Sequence, residues 1–180
     1  MRYILYTILI LLLAGCGAGG NQYLLSVDSQ VKYYKKSSIQ IGVDKISVPG
    51  YMEESKIATE VSQGEIHYLD SKWAVPTSRA LTQTLIRTLQ KRFRNPNVQL
   101  YPWDIDTQNG VRVKVIINDF IYANGQVRLE AVYSIMRIGS SSKRSYIYHT
   151  TVASTEDIPS IVHAMSRAFA KLSLHISKKI

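Results

Sequence analysis

The pair Asn124-Gly125 and the residues on either side of it constrain the fold more than any other stretch. Val111, Val113, Val115 and Ile117 alternate with mostly polar residues, and the alternation resumes at Val127, Leu129, Ala131, Tyr133 and Ile135. A period of two places one set of side chains on one face of a strand. Asn-Gly readily supplies the two positive-φ positions of a type I′ hairpin turn. Two runs joined this tightly pair as antiparallel neighbours. A looser turn over residues 139–144 and a third run over residues 146–152 extend the pair to a meander. One face of such a sheet is apolar and requires a cover.

Two helical stripes supply the cover. Pro76-Thr77-Ser78 opens the first, where Ala80, Leu81, Leu85, Leu89 and Phe93 recur at helical spacing before Asn95-Pro96-Asn97 stops it. Pro159 marks the start of the second, with Ile158, Ile161, Val162, Met165, Phe169, Leu172 and Ile176 on one stripe. Basic residues crowd the C-terminal parts of both (Arg87, Lys91, Arg92 and Arg94; Lys171, Lys178 and Lys179), where they suit the helix dipole. Elsewhere, residues 23–27 and 98–101 read as short strands. Residues 28–38 read as a surface loop carrying Lys32, Lys35 and Lys36 beside Tyr33 and Tyr34. Ile39, Ile41 and Val43 fall out of phase with Ile46 and Val48, and a bulge or tight turn at Asp44-Lys45 would bring all five to one face. Pro49-Gly50 ends that strand. Residues 52–63 are expected as an ordered loop. Residues 66–69 and 73–75 are expected to form a hairpin about Asp70-Ser71-Lys72. The expected fold class is therefore α+β: a mostly antiparallel sheet with two amphipathic helices packed on one face. At 180 residues one domain is expected, over residues 23–180.

The N-terminus reads as an address. Met1-Arg2 is followed by an apolar run over residues 3–13, too short to span a bilayer, which takes about 20 residues. Leu13-Ala14-Gly15-Cys16 closes it and resembles the lipobox of bacterial lipoproteins. That resemblance implies a signal peptide over residues 1–15, cleavage after Gly15, and lipid attachment (diacylglycerol and an acyl chain such as palmitate) at Cys16, the chain's single cysteine. Each buried methylene contributes about 0.8 kcal/mol, so several chains together anchor stably. Residues 16–22, with Gly17-Ala18-Gly19-Gly20, form a flexible leash. In many diderm bacteria Asp at the position of Gly17 retains a lipoprotein at the inner membrane, so Gly17 favours the outer membrane.

Catalytic and metal signatures are absent from the sequence. His67, His149, His163 and His175 have no metal-ligand spacing and read as surface or boundary residues. Asp104 and Asp106 precede Asn109-Gly110 and read as turn residues. No nucleophile elbow, phosphate loop or dinucleotide fingerprint occurs. Neither an enzyme nor a cofactor is expected. The net charge of +9 calls for an anionic partner, and export turns that expectation from nucleic acid toward anionic lipid or an acidic protein.

Beyond the lipobox, the chain resembles the ABC-type transport auxiliary lipoproteins, the PqiC/YmbA-like family. The likeness is carried by Tyr23-Leu24-Leu25, Ile41-Gly42-Val43, Ile46-Ser47-Val48-Pro49-Gly50-Tyr51-Met52, Trp73-Ala74-Val75-Pro76 and Asn118-Asp119-Phe120, with the closing amphipathic helix. Met52 stands where the family usually has Leu. The resemblance implies a periplasm-facing, membrane-anchored accessory subunit that docks or tethers an MCE-type transport protein and its membrane partners in moving lipids. Only Cys16 transfers as a functional position. Exposed parts of Tyr51, Met52 and Trp73 are candidates for a partner interface, with core packing the favoured reading for Trp73. Homo-oligomerisation is an expectation of docking onto a multimeric partner. The competing readings are a component of a secretion or lipopolysaccharide-assembly machine, and a lipid carrier with its own apolar groove.

Overall fold

A computed structural model of the protein describes residues 21–26, 32–102, 110–140 and 142–180. Strands β1 (Gln22–Tyr23), β2 (Gln40–Val43), β3 (Lys56–Ser62) and β4 (Glu65–Trp73) precede helix α1 (Thr77–Phe93). Strands β5 (Val98–Leu100), β6 (Gly110–Ala123), β7 (Gln126–Arg137) and β8 (Lys143–Ala153) follow, and helix α2 (Ile158–Ser177) closes the chain.

The meander is the spine. β7 pairs antiparallel with β6 and β8 along almost its whole length. The turn between β6 and β7 has φ of 48° at Asn124 and 77° at Gly125, as the hairpin chemistry requires. The other edge of β6 is shared. β2 pairs parallel with Gly110–Val113, Ser47 bridges Ile116, and β3 pairs parallel with Tyr122 and Ala123. β5 extends the sheet beyond β2, and β4 and β1 extend it beyond β3. The domain is α+β as expected, with a mixed sheet. Its three antiparallel ladders include the two longest, and β1, β2, β3 and β5 enter through short parallel ladders. Parallel pairing follows from crossovers through distant chain segments, which alternation within one strand does not encode.

Val111, Val113, Val115, Phe120, Val127, Leu129, Ala131 and Tyr133 of the meander share one buried cluster with Leu81, Leu85, Leu89 and Phe93 of α1 and Ile161, Met165, Phe169, Leu172 and Ile176 of α2. Burying each large side chain contributes about 1.5–3 kcal/mol. The irregular step at Asp44-Lys45 restores the phase of its strand: Ile41, Val43 and Ile46 are buried, and Ile39 and Val48 pack against the same cluster. Asp157 caps α2 by accepting from the Ser160 N–H at 2.9 Å. Thr82 of α1 accepts from the Ile46 N–H at 3.0 Å and donates to the Ser78 carbonyl at 2.6 Å, tying helix to sheet.

Two local expectations fail in one place. Residues 52–63 are not a loop: a 3-10 turn over Gly50–Met52 leads into β3. The hairpin turn lies at Gln63-Gly64, with Gly64 at φ 83°, and Asp70-Ser71-Lys72 sits inside the continuous β4. The reason is burial. Only Thr59 and Glu60 of this hairpin pair with β6, so most of it is exposed on both faces and carries no alternation to read.

Candidate functional site

The C-terminal ends of α1 and α2 converge, and Arg92 joins them. Its side chain is 8% exposed; Nε donates to Ser177 Oγ at 3.2 Å and Nη1 to the Lys32 carbonyl at 2.9 Å. The stretch from Lys32 lies across these helix ends. The Tyr34 N–H donates to the Arg92 carbonyl at 2.9 Å, the Ser37 N–H to the Phe93 carbonyl at 3.2 Å, and Asn95 Nδ2 to the Ile39 carbonyl at 2.7 Å. The first two satisfy carbonyls that a helix end leaves open. Two guanidinium groups stack on tyrosines, Arg92 at 4.9 Å from the Tyr34 ring centre and Arg94 at 4.4 Å from that of Tyr33. Arg94 holds the left-handed φ of 44° that closes α1, a position usually given to Gly.

The result is a basic end of the domain. Lys32, Lys35, Lys36, Lys91, Arg94, Lys178 and Lys179 are all exposed there, and Tyr33 and Tyr34 are about half exposed. Lys143 and Arg144 open β8 on the same side, where Lys179 Nζ lies 5.3 Å from the centre of the Tyr146 ring. Among the described residues, none of these cations has a carboxylate within ion-pair distance.

At the opposite end of the sheet, one cation is tied into a polar network. At the β6 bulge between Ile117 and Asp119, the Tyr51 hydroxyl donates to Asp119 Oδ1 at 2.8 Å and accepts from the Phe120 N–H at 2.9 Å. Arg128 bonds Asp119 through Nε and Glu60 through Nη2, and Glu60 also accepts from the Gly64 N–H at 3.1 Å. Burial, reinforced by Asp119, pushes the Tyr51 phenol well above its ordinary range. The Gly64 N–H and Arg128 hold the Glu60 carboxyl low. The network clasps the 3-10 turn, β3, β6 and β7. Tyr51 therefore spends its hydroxyl inside the fold, while Met52 and Trp73 are 4% and 8% exposed and belong to the core. A second pair, Arg112 with Asp44, lies toward the basic end, where Arg112 and Lys143 line one cavity, and makes two bonds of 2.9 Å beneath Tyr101.

Of the histidines, His67, His149 and His163 are exposed, and His175 sits half-buried with Nδ1 3.0 Å from the Tyr133 hydroxyl. Desolvation, then Lys179 and Lys178, lower the His175 pKa. Among the described residues no group of His, Cys, Asp and Glu is arranged to hold a metal ion, and no helix is long and apolar enough to cross a membrane. An open groove of about 570 Å³ runs beside α1, lined by Lys45, Arg79, Ile86 and Leu100 among others. Cys16, Asp104 and Asp106 lie outside the described residues. The sequence showed the cations of the basic end but not their convergence, which depends on two helices ending side by side.

Solved structures share this architecture. A crystal structure of an uncharacterised protein matches with a TM-score of 0.74 at 16% identity, covering 89% of this chain and 97% of that one. A Xanthomonas campestris protein of the DUF330 family matches with a TM-score of 0.74 at 14% identity, covering 88% and 93%. Identities this low establish the fold alone. No curated protein matches the chain in sequence. The model of one protein family matches residues 23–177, and by that match the chain belongs to the family described as ABC-type transport auxiliary lipoprotein component. It is thus an auxiliary component of a transport system, associated with the cell envelope as lipoproteins are.

Proposed function

We propose that this protein is a non-enzymatic accessory subunit of an envelope lipid-transport system of the ABC/MCE type, anchored by lipid on Cys16 and docking or tethering the transport partner. The carrying observation is the family match over residues 23–177, directly preceded by Leu13-Ala14-Gly15-Cys16 and a glycine-rich leash. The fold is consistent with a docking role: its polar networks are spent on holding elements together. Gly17 favours an outer-membrane anchor with the domain facing the periplasm.

Deleting the gene tests this reading. The mutant is expected to become sensitive to detergent, with rescue by the intact chain and not by Cys16→Ser. Normal detergent resistance in the deletion strain would contradict a lipid-transport role.

A further inference from the structure

We infer that the basic end of the domain is a docking face for an acidic surface on a protein component of the transport system, and that it points away from the membrane holding the anchor. The inference rests on the proposed function and adds where the partner sits and what chemistry it presents.

Three observations carry it. The first is charge. The exposed cations at the ends of α1 and α2 stand without carboxylate partners among the described residues, and neither helix nor the 32–38 stretch contains an Asp or Glu, whereas Glu53, Glu54, Glu60, Glu65 and Asp70 gather in and just before the β3–β4 hairpin. Uncompensated like charges repel one another, and an acidic counter-surface relieves that repulsion and speeds encounter.

The second is composition. Tyr33 and Tyr34 are exposed yet held rigidly, with guanidinium groups stacked on them and the backbone pinned to Arg92 and Phe93. Tyrosine and arginine are enriched in protein interfaces, and rigid aromatics lose little entropy on binding. Arg94 occupies a helix-ending position where Gly is conformationally easier, and its side chain completes this surface.

The third is geometry. The tether joins the folded domain at Asn21, whose carbonyl accepts from the Lys72 N–H at 3.1 Å, and the Tyr23 carbonyl accepts from the Ala74 N–H just before α1 begins. β1 runs parallel to β4, so the chain leaves Asn21 heading toward the basic end. It passes Ser166 in mid-α2 before reaching Lys32 beside Ser177. The 17 residues of α1 put the basic end about 25 Å from the tether point. The stretch from Cys16 to Asn21 reaches at most about 18 Å when fully extended. A leash that short does not bring the basic end flush with the bilayer that holds Cys16. This favours a protein over the anchoring membrane as occupant.

The test places a photo-crosslinking amino acid at Tyr33, on the basic end, and separately at Ile66, on the exposed β3–β4 hairpin, in the full-length lipidated chain in cells. Capture of a transport-system protein from Tyr33 is the expected result. It should fall at least tenfold in the variant Lys36→Glu/Lys91→Glu/Lys178→Glu, whose three side chains make no hydrogen bond or ion pair among the described residues, with the circular dichroism spectrum unchanged. Capture of that protein from Ile66 alone would overturn this face while leaving the transport role intact. Phospholipid captured at Tyr33 would overturn it in favour of a membrane contact. Capture from Tyr33 that is insensitive to charge reversal would overturn the acidic chemistry. If neither position captures a transport component, the docking face fails, and the deletion phenotype then decides separately whether the transport role stands.

Discussion

The β6 bulge with the β3–β4 hairpin, and the end where the two helices stop, differ in where they place acidic residues: Glu60, Glu65, Asp70 and Asp119 lie in the first, and neither helix contains an Asp or Glu. At the β6 bulge, Arg128 is held between Asp119 and Glu60, and Tyr51 locks Asp119 in place. At the other end, Arg92 bonds only neutral oxygens among the described residues, and the cations around it face solvent. Backbone bonds and stacked rings do there what ion pairs do at the β6 bulge.

The largest effect is expected at Cys16. Cys16→Ser should move the protein wholly from the membrane pellet to the soluble fraction on cell fractionation, and full retention in the pellet would remove Cys16 as the anchor. Next in size is the support of the basic end. Phe93 is fully buried and meets Tyr34 edge-on at 6.5 Å, so Phe93→Ala should lower unfolding stability by about 3–5 kcal/mol. A loss under ~1 kcal/mol in urea titration, well below the usual cost, would mean that this end is not built on the core.

Arg92→Met keeps most of the volume but removes the bonds to Ser177 and Lys32, and should cost about 1–3 kcal/mol. Amide exchange at Tyr34 and Ser37 should accelerate with it. Unchanged exchange there would show that Arg92 does not pin the 32–37 stretch. At the β6 bulge, Tyr51→Phe leaves the Phe120 N–H and Asp119 Oδ1 each short of a partner, at a cost of about 1–2 kcal/mol. No change in the denaturation midpoint would make the clasp ornamental to stability.

The smallest expected effect is the pH response of His175. Its pKa is lowered in the fold by desolvation and by Lys179 and Lys178, with the Tyr133 and Tyr148 rings packed against it. The unfolded chain therefore binds the proton more readily. The stability tied to neutral His175 is present above the unfolded value near 6.5 and is lost as pH falls below it toward the folded pKa. His175→Gln should flatten that slope in thermal melts between roughly pH 7 and pH 5. An identical slope would assign the response to another group.

The meander and helices were legible because their apolar faces are continuous. Val111 to Ile117 and Ile161 to Ile176 each see one core and one solvent side, so burial writes a period into the sequence. The β3–β4 hairpin was misread because Val61, Ile66 and Tyr68 are exposed and leave no such period. The clasp of Tyr51, Asp119, Arg128 and Glu60 was invisible for another reason: its members come from four elements, and no local spacing links them. Tyr51 and Asp119 stood out in the sequence only as parts of the family likeness. The structure gives them one physical task, fixing the bulge in β6.

Crosslinking in the native envelope, followed by identification of what is purified with the protein, probes its role as an accessory subunit of a lipid-transport machine. An MCE-type transport protein among the captured partners is the expected result. A secretion or lipopolysaccharide-assembly component in its place would rule that role out.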